Sequence, residues 1–140
     1  MQIQGVNHFC FSVSDLEKSI HFYEQVFEAK LLVTGRKLAY FDLNGIWIAL
    51  NEENDIPRNV SPSSYTHIAF TVLEAEFEQW EEKLKRLKIS VLPGRERDDR
   101  DKRSIYFADL DGHQFELHTG GLHDRMEYYR NEKTHMKFFE

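Results

Sequence analysis

Three residues in this chain are of types that together hold a catalytic metal ion: His8, His67 and Glu116. Glu116 lies in the run Asp111-Gly112-His113-Gln114-Phe115-Glu116-Leu117-His118, where apolar and polar residues alternate as in a strand leaving a turn. Phe115 and Leu117 take one face, and Gln114, Glu116 and His118 the other. A carboxylate in mid-strand needs water or a partner. Two imidazoles and one carboxylate suit divalent first-row metals such as Mn, Fe, Co or Zn, with positions left for water or substrate. Spacing alone also allows a plainer account, three satisfied polar side chains on strand faces.

What favours the metal is an internal echo. His8-Phe9-Cys10-Phe11-Ser12-Val13 and His67-Ile68-Ala69-Phe70-Thr71-Val72 share the pattern His-x-x-Phe-Ser/Thr-Val, 59 positions apart, from 8 to 67. Each copy precedes a helical pattern, and each half closes on a Gly-led strand, Gly45 to Asn51 and Gly112 to His118. Such self-similarity indicates two copies of one supersecondary unit. Superposing the closing strands sets Ala49 opposite Glu116, so the halves together offer three ligands and one empty fourth position.

The elements that must position these residues can be read in order. Residues 3–13 form a strand with His8, Cys10 and Ser12 on one face. Ser14-Asp15-Leu16-Glu17 is a capping box, with Ser14 as N-cap, opening a helix of about fifteen residues on Leu16, Ile20, Tyr23 and Phe27. Strands follow over 29–33, 37–43 and 46–51, the last two joined by Asn44-Gly45, a hairpin signal. Residues 53–64 are a polar linker with Pro57, Pro62 and three serines. The second unit repeats the plan: a strand over 65–72, a helix on Phe77, Trp80, Leu84 and Leu87, then strands over 89–92, 104–107 and 113–119. A helix over 122–130 and an aromatic tail ending in Phe138-Phe139 complete the chain; the tail is expected to pack on the body or on a partner. The reading is α+β: one domain over 1–140, with modules of about 3–52 and 65–120, each βαβββ, and a C-terminal segment over 121–140.

Composition bounds the function. At 140 residues and 41% apolar, the chain suits one compact folded domain. Its net charge of −6 argues against general nucleic-acid binding. The lone cysteine, Cys10, excludes an internal disulfide, and the start Met1-Gln2-Ile3-Gln4 has no basic-then-apolar export signal, so a cytoplasmic, non-membrane protein is expected. Cys10 reads as a pocket wall or a small core residue. His21, His113, His118, His123 and His135 read as solvated side chains. The loop 93–103 carries Arg95, Arg97, Arg100, Lys102 and Arg103 against four acids; it reads as a self-neutralising surface from which one or two arginines serve as anion clamps.

The duplicated unit with its His, His, Glu set resembles the vicinal oxygen chelate superfamily (the glyoxalase-like fold). Longer strings narrow the likeness: Arg36 to Phe41, Gly45 to Glu53, Ile56 to Asn59, Ser64 to Phe70, Gly94 to Asp98, Ser104 to Phe107 and Lys133 to Met136. They are similar to the fosfomycin-resistance thiol transferases of the bacillithiol-using type, from Gly5 to about Phe139. One departure is Leu110, where that family has proline in its Asp-Pro-Asp-Gly turn.

The resemblance implies that His8, His67 and Glu116 ligate Mn²⁺ or Mg²⁺, with Zn²⁺, Co²⁺ or Ni²⁺ as other occupants. It implies that the phosphonate and oxirane oxygens of fosfomycin fill the open metal positions. It also implies a phosphonate pocket of Tyr65, Arg95, Tyr106 and Arg125, further lined by Cys10, Trp47, Ala49 and Asn51, and a homodimer that exchanges strands. Attack on the epoxide then falls to the thiolate of bacillithiol, or less well L-cysteine, with Glu116 and Tyr40 as the catalytic side chains and Tyr40 assisting the thiol. Three rivals stay open: a water-using hydrolase, a glutathione transferase and a non-catalytic anion binder. The hydrolase branch needs a carboxylate in the segment that here reads Lys37-Leu38-Ala39-Tyr40, which has none.

Overall fold

The structure, a computed structural model, describes residues 1–58, 64–95 and 97–139. The linker's residues 59–63 and position 96 of the basic loop lie outside the described residues. The chain divides into two compact units, Met1–Tyr65 with Asp109–His113, and Thr66–Ala108 with Gln114–Glu140.

The first unit is β1 (His8–Val13), α1 (Leu16–Phe27), β2 (Lys30–Thr34), β3 (Leu38–Leu43) and β4 (Ile46–Glu52), its sheet ordered β1-β4-β3-β2. β1 runs parallel to β4, and the other pairs are antiparallel. β1 is shorter than its alternating pattern because His8 pairs Trp47 and β4 begins one residue earlier, at Ile46. Met1, Ile3 and Val6, which lack a strand to join, are exposed. The core side of α1 is Leu16, Phe22, Tyr23, Val26 and Phe27, recurring at helical spacing and buried with Ile48, Leu50, Phe41 and Val13. The expected Asn-Gly hairpin forms, with Asn44 at φ 50° and Gly45 at φ 87°.

The N-cap of α1 is Asp15, not Ser14. Asp15 is extended and its Oδ1 accepts from Lys18 N at 3.0 Å. The Ser14 N–H instead donates to Asp111 Oδ2, and Leu16 N donates to Glu52 Oε2. Two acids remote in sequence thus share the work given locally to Ser14 and Glu17. Asp111 belongs to the turn Asp109–His113, counted in this unit. Asp109 organises that turn: its carboxylate accepts from Asp111 N, His113 N and the buried Tyr23 hydroxyl, and meets His113 Nδ1 at 2.8 Å. Burial, then the Asp109 charge, pushes the Tyr23 hydroxyl pKa far up, so Tyr23 is a fixed donor. Leu110 is exposed at the tip.

The second unit is β5 (Ile68–Thr71), α2 (Phe77–Arg86) entered through a 3₁₀ turn at Glu74–Glu76, β6 (Val91–Leu92), a 3₁₀ turn at Asp99–Asp101, β7 (Ser104–Ala108), β8 (Gln114–His118) and α3 (Leu122–Glu132). Its sheet is ordered β5-β8-β7-β6, with β5 parallel to β8. Each half therefore gives the same four-strand arrangement, the paired βαβββ fold expected of the vicinal oxygen chelate type. The registers agree in detail: Cys10 pairs Ala49 in the first sheet, and Ala69 pairs Glu116 in the second. Phe77 and Leu84 of α2 are buried, as are Ile105, Phe107, Phe115 and Leu117 on one sheet face, with Tyr106 and Glu116 on the opposite face.

In the tail, the Arg130 guanidinium sits 5.4 Å from the Phe138 ring, while Phe139 is exposed. Half of the aromatic end thus packs on α3. Among the described residues no helix is long and apolar enough to cross a membrane.

Candidate functional site

In the second unit β5, β7 and β8 bring a carboxylate, an imidazole and several donors together. His67, just ahead of β5, places Nε2 2.9 Å from Glu116 Oε2, and its ring stands edge-on to Tyr106. The other oxygen of Glu116, Oε1, accepts from Arg97 Nη2 at 3.0 Å and from the Ser104 hydroxyl at 2.5 Å. Arg97 Nη2 also donates to Tyr106 Oη at 2.6 Å. Burial alone would raise the Glu116 pKa, but the Ser104 and Tyr106 hydroxyls and the Arg97 charge outweigh it and hold it below the ordinary carboxylate value. Glu116 is therefore ionised at neutral pH. An imidazole nitrogen and a carboxylate oxygen converging this closely are a donor pair that suits a divalent cation such as Mn²⁺.

His118 extends the network. Its Nδ1 lies 3.0 Å from the Arg103 carbonyl, which can only accept, so Nδ1 carries the proton; the Ser104 hydroxyl, 2.8 Å away, is its second acceptor. Nε2 is then bare and accepts from Arg125 Nη2 at 3.4 Å. Burial, with Arg97 and Arg125 against the opposing pull of Glu116, lowers the His118 pKa and keeps the ring neutral. A series of contacts thus runs from Arg125 through His118 and Ser104 to Glu116.

The basic loop divides into two populations. Arg100 pairs Asp98 and Glu132, Arg103 pairs Glu78 and Glu74, and Lys102 lies near Asp124, a self-neutralising surface as expected. Arg95, Arg97 and, from α3, Arg125 turn instead toward the buried Asp101. A cavity of about 730 Å³ borders this loop, lined by Phe77, Glu81 and Lys85 of α2 as well as Gly94, Arg95, Arg97, Ser104 and Tyr106; Asp101, Glu116, His67 and Arg125 are not in its lining. That volume is within the range of small-molecule sites.

Gly94 lies against the Tyr106 ring, where an added Cβ would sit 2.9 Å from Cε2. Gly94→Ala is therefore expected to displace this buried ring and to cost about 1–3 kcal/mol of stability, measured by urea unfolding. A change below about 0.5 kcal/mol would mean that the contact is loose.

The first unit holds the remaining sequence-predicted residues. His8 is exposed on β1 and lies tilted against Trp47, ring centroids 4.4 Å apart, and Tyr40 meets Trp47 edge-on at 5.2 Å. Cys10, on the same face, is exposed and accepts from Asn51 Nδ2 at 3.3 Å, which fits a pocket wall and not a core residue. Tyr65, at the end of this unit, is exposed. His8, Cys10, Tyr40, Trp47 and Asn51 thus share one sheet face, while His67, Glu116, Tyr106, Arg95 and Arg125 belong to the other unit. Among the described residues no three His, Cys, Asp or Glu side chains of one chain gather around a single ion position.

Sequence reasoning missed Arg97, Ser104, His118 and Asp101. Ser104 and His118 could have been found, since Ser104 alternates with Tyr106 and His118 with Glu116 on one strand face. The classing of His118 as solvated is corrected: it is half-buried and bonded at both nitrogens. His113 is corrected likewise, being tied to Asp109 and packed on Phe11. Nothing in the loop's composition separates Arg97 from its basic neighbours.

Residues 5–117 match the family described as "Glyoxalase/Bleomycin resistance protein/Dioxygenase superfamily". The chain is 63% identical over 139 residues to the metallothiol transferase FosB of Lysinibacillus sphaericus, covering 99% of each protein. It is 59% identical over 138 residues to the metallothiol transferase FosB of Staphylococcus saprophyticus, covering 99% of this chain and 91% of that one. Among solved structures it superposes on the fosfomycin resistance protein FosX of Listeria monocytogenes with TM-score 0.81 and 36% identity, covering 91% of this chain and 100% of that one. A variant of that FosX, complexed with Mn(II) and 1S,2S-dihydroxypropylphosphonic acid, superposes with TM-score 0.80 at 35% identity, covering 91% and 99%.

Proposed function

We infer the function from kinship and geometry together: the chain belongs to the glyoxalase/bleomycin resistance protein/dioxygenase superfamily and, within it, to the metallothiol transferases of the FosB kind. It is a metal-dependent transferase that inactivates fosfomycin by opening its epoxide with a low-molecular-weight thiol. The observation that carries this is an ionised carboxylate 2.9 Å from an imidazole nitrogen, beside a group of arginines.

His67 and Glu116 are two of the cation's ligands in this reading, and His8 is the third. Since His8 lies on the first unit's exposed edge strand, β1, we assign the complete triad to a strand-exchanged homodimer in which a second copy contributes to each site. A divalent cation held there, Mn²⁺ or Mg²⁺, would supply positive charge to offset the charge growing on the epoxide oxygen. Arg95, Arg125, Tyr65 and the Tyr106 hydroxyl hold the phosphonate, whose two negative charges need cations and donors around them. Trp47, Asn51 and Cys10 wall the pocket. Tyr40 steadies the incoming thiol. The thiolate sulfur bonds to the unsubstituted epoxide carbon as that carbon's bond to oxygen breaks. The oxygen keeps the electron pair and takes up a proton, so the sum of thiol and epoxide becomes one thioether alcohol. No side chain of the protein becomes covalently attached.

Bacillithiol is the proposed donor, L-cysteine the weaker one, and the cytoplasm, where such thiols stay reduced, the proposed location. A hydrolase would need an acid beside Tyr40. Asp42 shares that strand face, but its Oδ1 accepts from Gly45 N at 2.6 Å and so serves the hairpin. Mass spectrometry of fosfomycin incubated with the protein, Mn²⁺ and each thiol tests the reading. A thiol adduct is the expected product. A diol would assign a hydrolase, and unchanged drug a binder.

A further inference from the structure

Among the described residues of the second unit Asp101 is the most buried charged side chain, 1% exposed, and no step of the reaction uses it. Its Oδ2 lies 2.5 Å from Arg95 Nη2 and 3.6 Å from Arg97 Nη1. Its Oδ1 lies 2.9 Å from Arg125 Nε, close as an ion pair although the angle is poor for a hydrogen bond. Three guanidinium groups, two from the loop and one from α3, thus converge on one carboxylate. Gathering three like charges around one carboxylate costs repulsion and desolvation that a single ion pair would not. Arg97 also keeps two buried donors, Nε and Nη1, without a hydrogen-bond partner among the described residues. Arg95 and Arg97 also line the cavity, so guanidiniums gathered by Asp101 border a space in which a further anion fits.

We propose that Asp101 is the positioning residue of the anion pocket, fixing Arg95 and Arg125 so that a dianionic phosphonate meets guanidiniums already in place. The proposal rests on the thiol-transferase reading above. Asp101 touches no reacting atom in it and acts through the arginines. Without its charge the guanidiniums repel one another and turn to solvent, so ground-state binding of the anion weakens while ring opening, governed elsewhere in the site, does not.

The test uses the Mn²⁺-loaded protein with fosfomycin and L-cysteine, comparing wild type with Asp101→Asn. The KM for fosfomycin is expected to rise about tenfold or more, with kcat within about threefold and the KM for cysteine unchanged. The Mn²⁺ affinity, read by electron paramagnetic resonance, stays at the wild-type value. An unchanged fosfomycin KM, or a loss of kcat alone, would overturn the proposal. If Asp101→Asn yields no folded protein, Asp101→Glu carries the test. It keeps the charge but moves it by one methylene, and a fosfomycin KM equal to wild type would then overturn the idea. Calorimetric binding of fosfomycin without thiol separates the two readings. Weakened binding in the variant supports the Asp101 assignment even if wild type forms no thiol adduct; unweakened binding with normal wild-type turnover removes that assignment alone.

Discussion

Glu116→Ala is expected to lower the rate of thiol addition to fosfomycin by at least two orders of magnitude, roughly the upper loss seen on removing a mere outer-shell partner of a metal site. The loss has two sources. In the proposed ligand set the cation would lose its one carboxylate, and Arg97 and Ser104 lose their common acceptor. The second effect destabilises the fold by about 1–3 kcal/mol, so the rate is to be measured below the variant's melting temperature, with circular dichroism showing native secondary structure. Glu116→Gln preserves the shape and should lose nearly as much rate with less stability cost. Near-wild-type turnover in either variant would remove Glu116 from the reaction and with it the proposed ligand set.

Asp109→Ala should produce the largest loss of stability without touching the reaction. Four donors converge on this carboxylate, two backbone N–H groups, the Tyr23 hydroxyl and the His113 ring. Alanine would leave the Tyr23 hydroxyl buried without a partner and the turn without its internal scaffold. The expected cost is about 3 kcal/mol or more, a fall in melting temperature on the order of 10 °C. Tyr23→Phe should cost less, since it removes one donor and leaves the others paired. Equal losses from both variants would show that the hydroxyl, not the turn, dominates.

Much of this was legible in the amino-acid sequence because it is periodic. The His-x-x-Phe-Ser/Thr-Val echo and the two Gly-led closing strands locate both modules, and pairing Ala49 with Glu116 by alignment anticipates the registers Cys10 with Ala49 and Ala69 with Glu116. Asn44-Gly45 named its own turn. Contacts made across long sequence distances were not legible. Ser14 and Glu17 spell a capping box, yet Asp111, 97 residues away, takes the Ser14 N–H and leaves Asp15 to cap the helix. Arg97 and Arg100 have one composition and two fates, since one faces a buried carboxylate and the other a surface one. Edge strands were read too long because alternation continues where the partner strand stops. Residue type and local spacing carry no record of what lies on the far side of a sheet.

The first unit is discontinuous, Met1–Tyr65 completed by Asp109–His113, and Tyr23 reaches Asp109 across 86 positions. During synthesis the early helix therefore waits for a segment made near the end before its tyrosine finds its acceptor. Such a high contact order slows folding, and a polypeptide stopped at the midpoint would expose an apolar helix face with its polar anchor missing. The N-terminal half made alone should be prone to self-association, and it should regain order when a peptide spanning the missing turn is supplied.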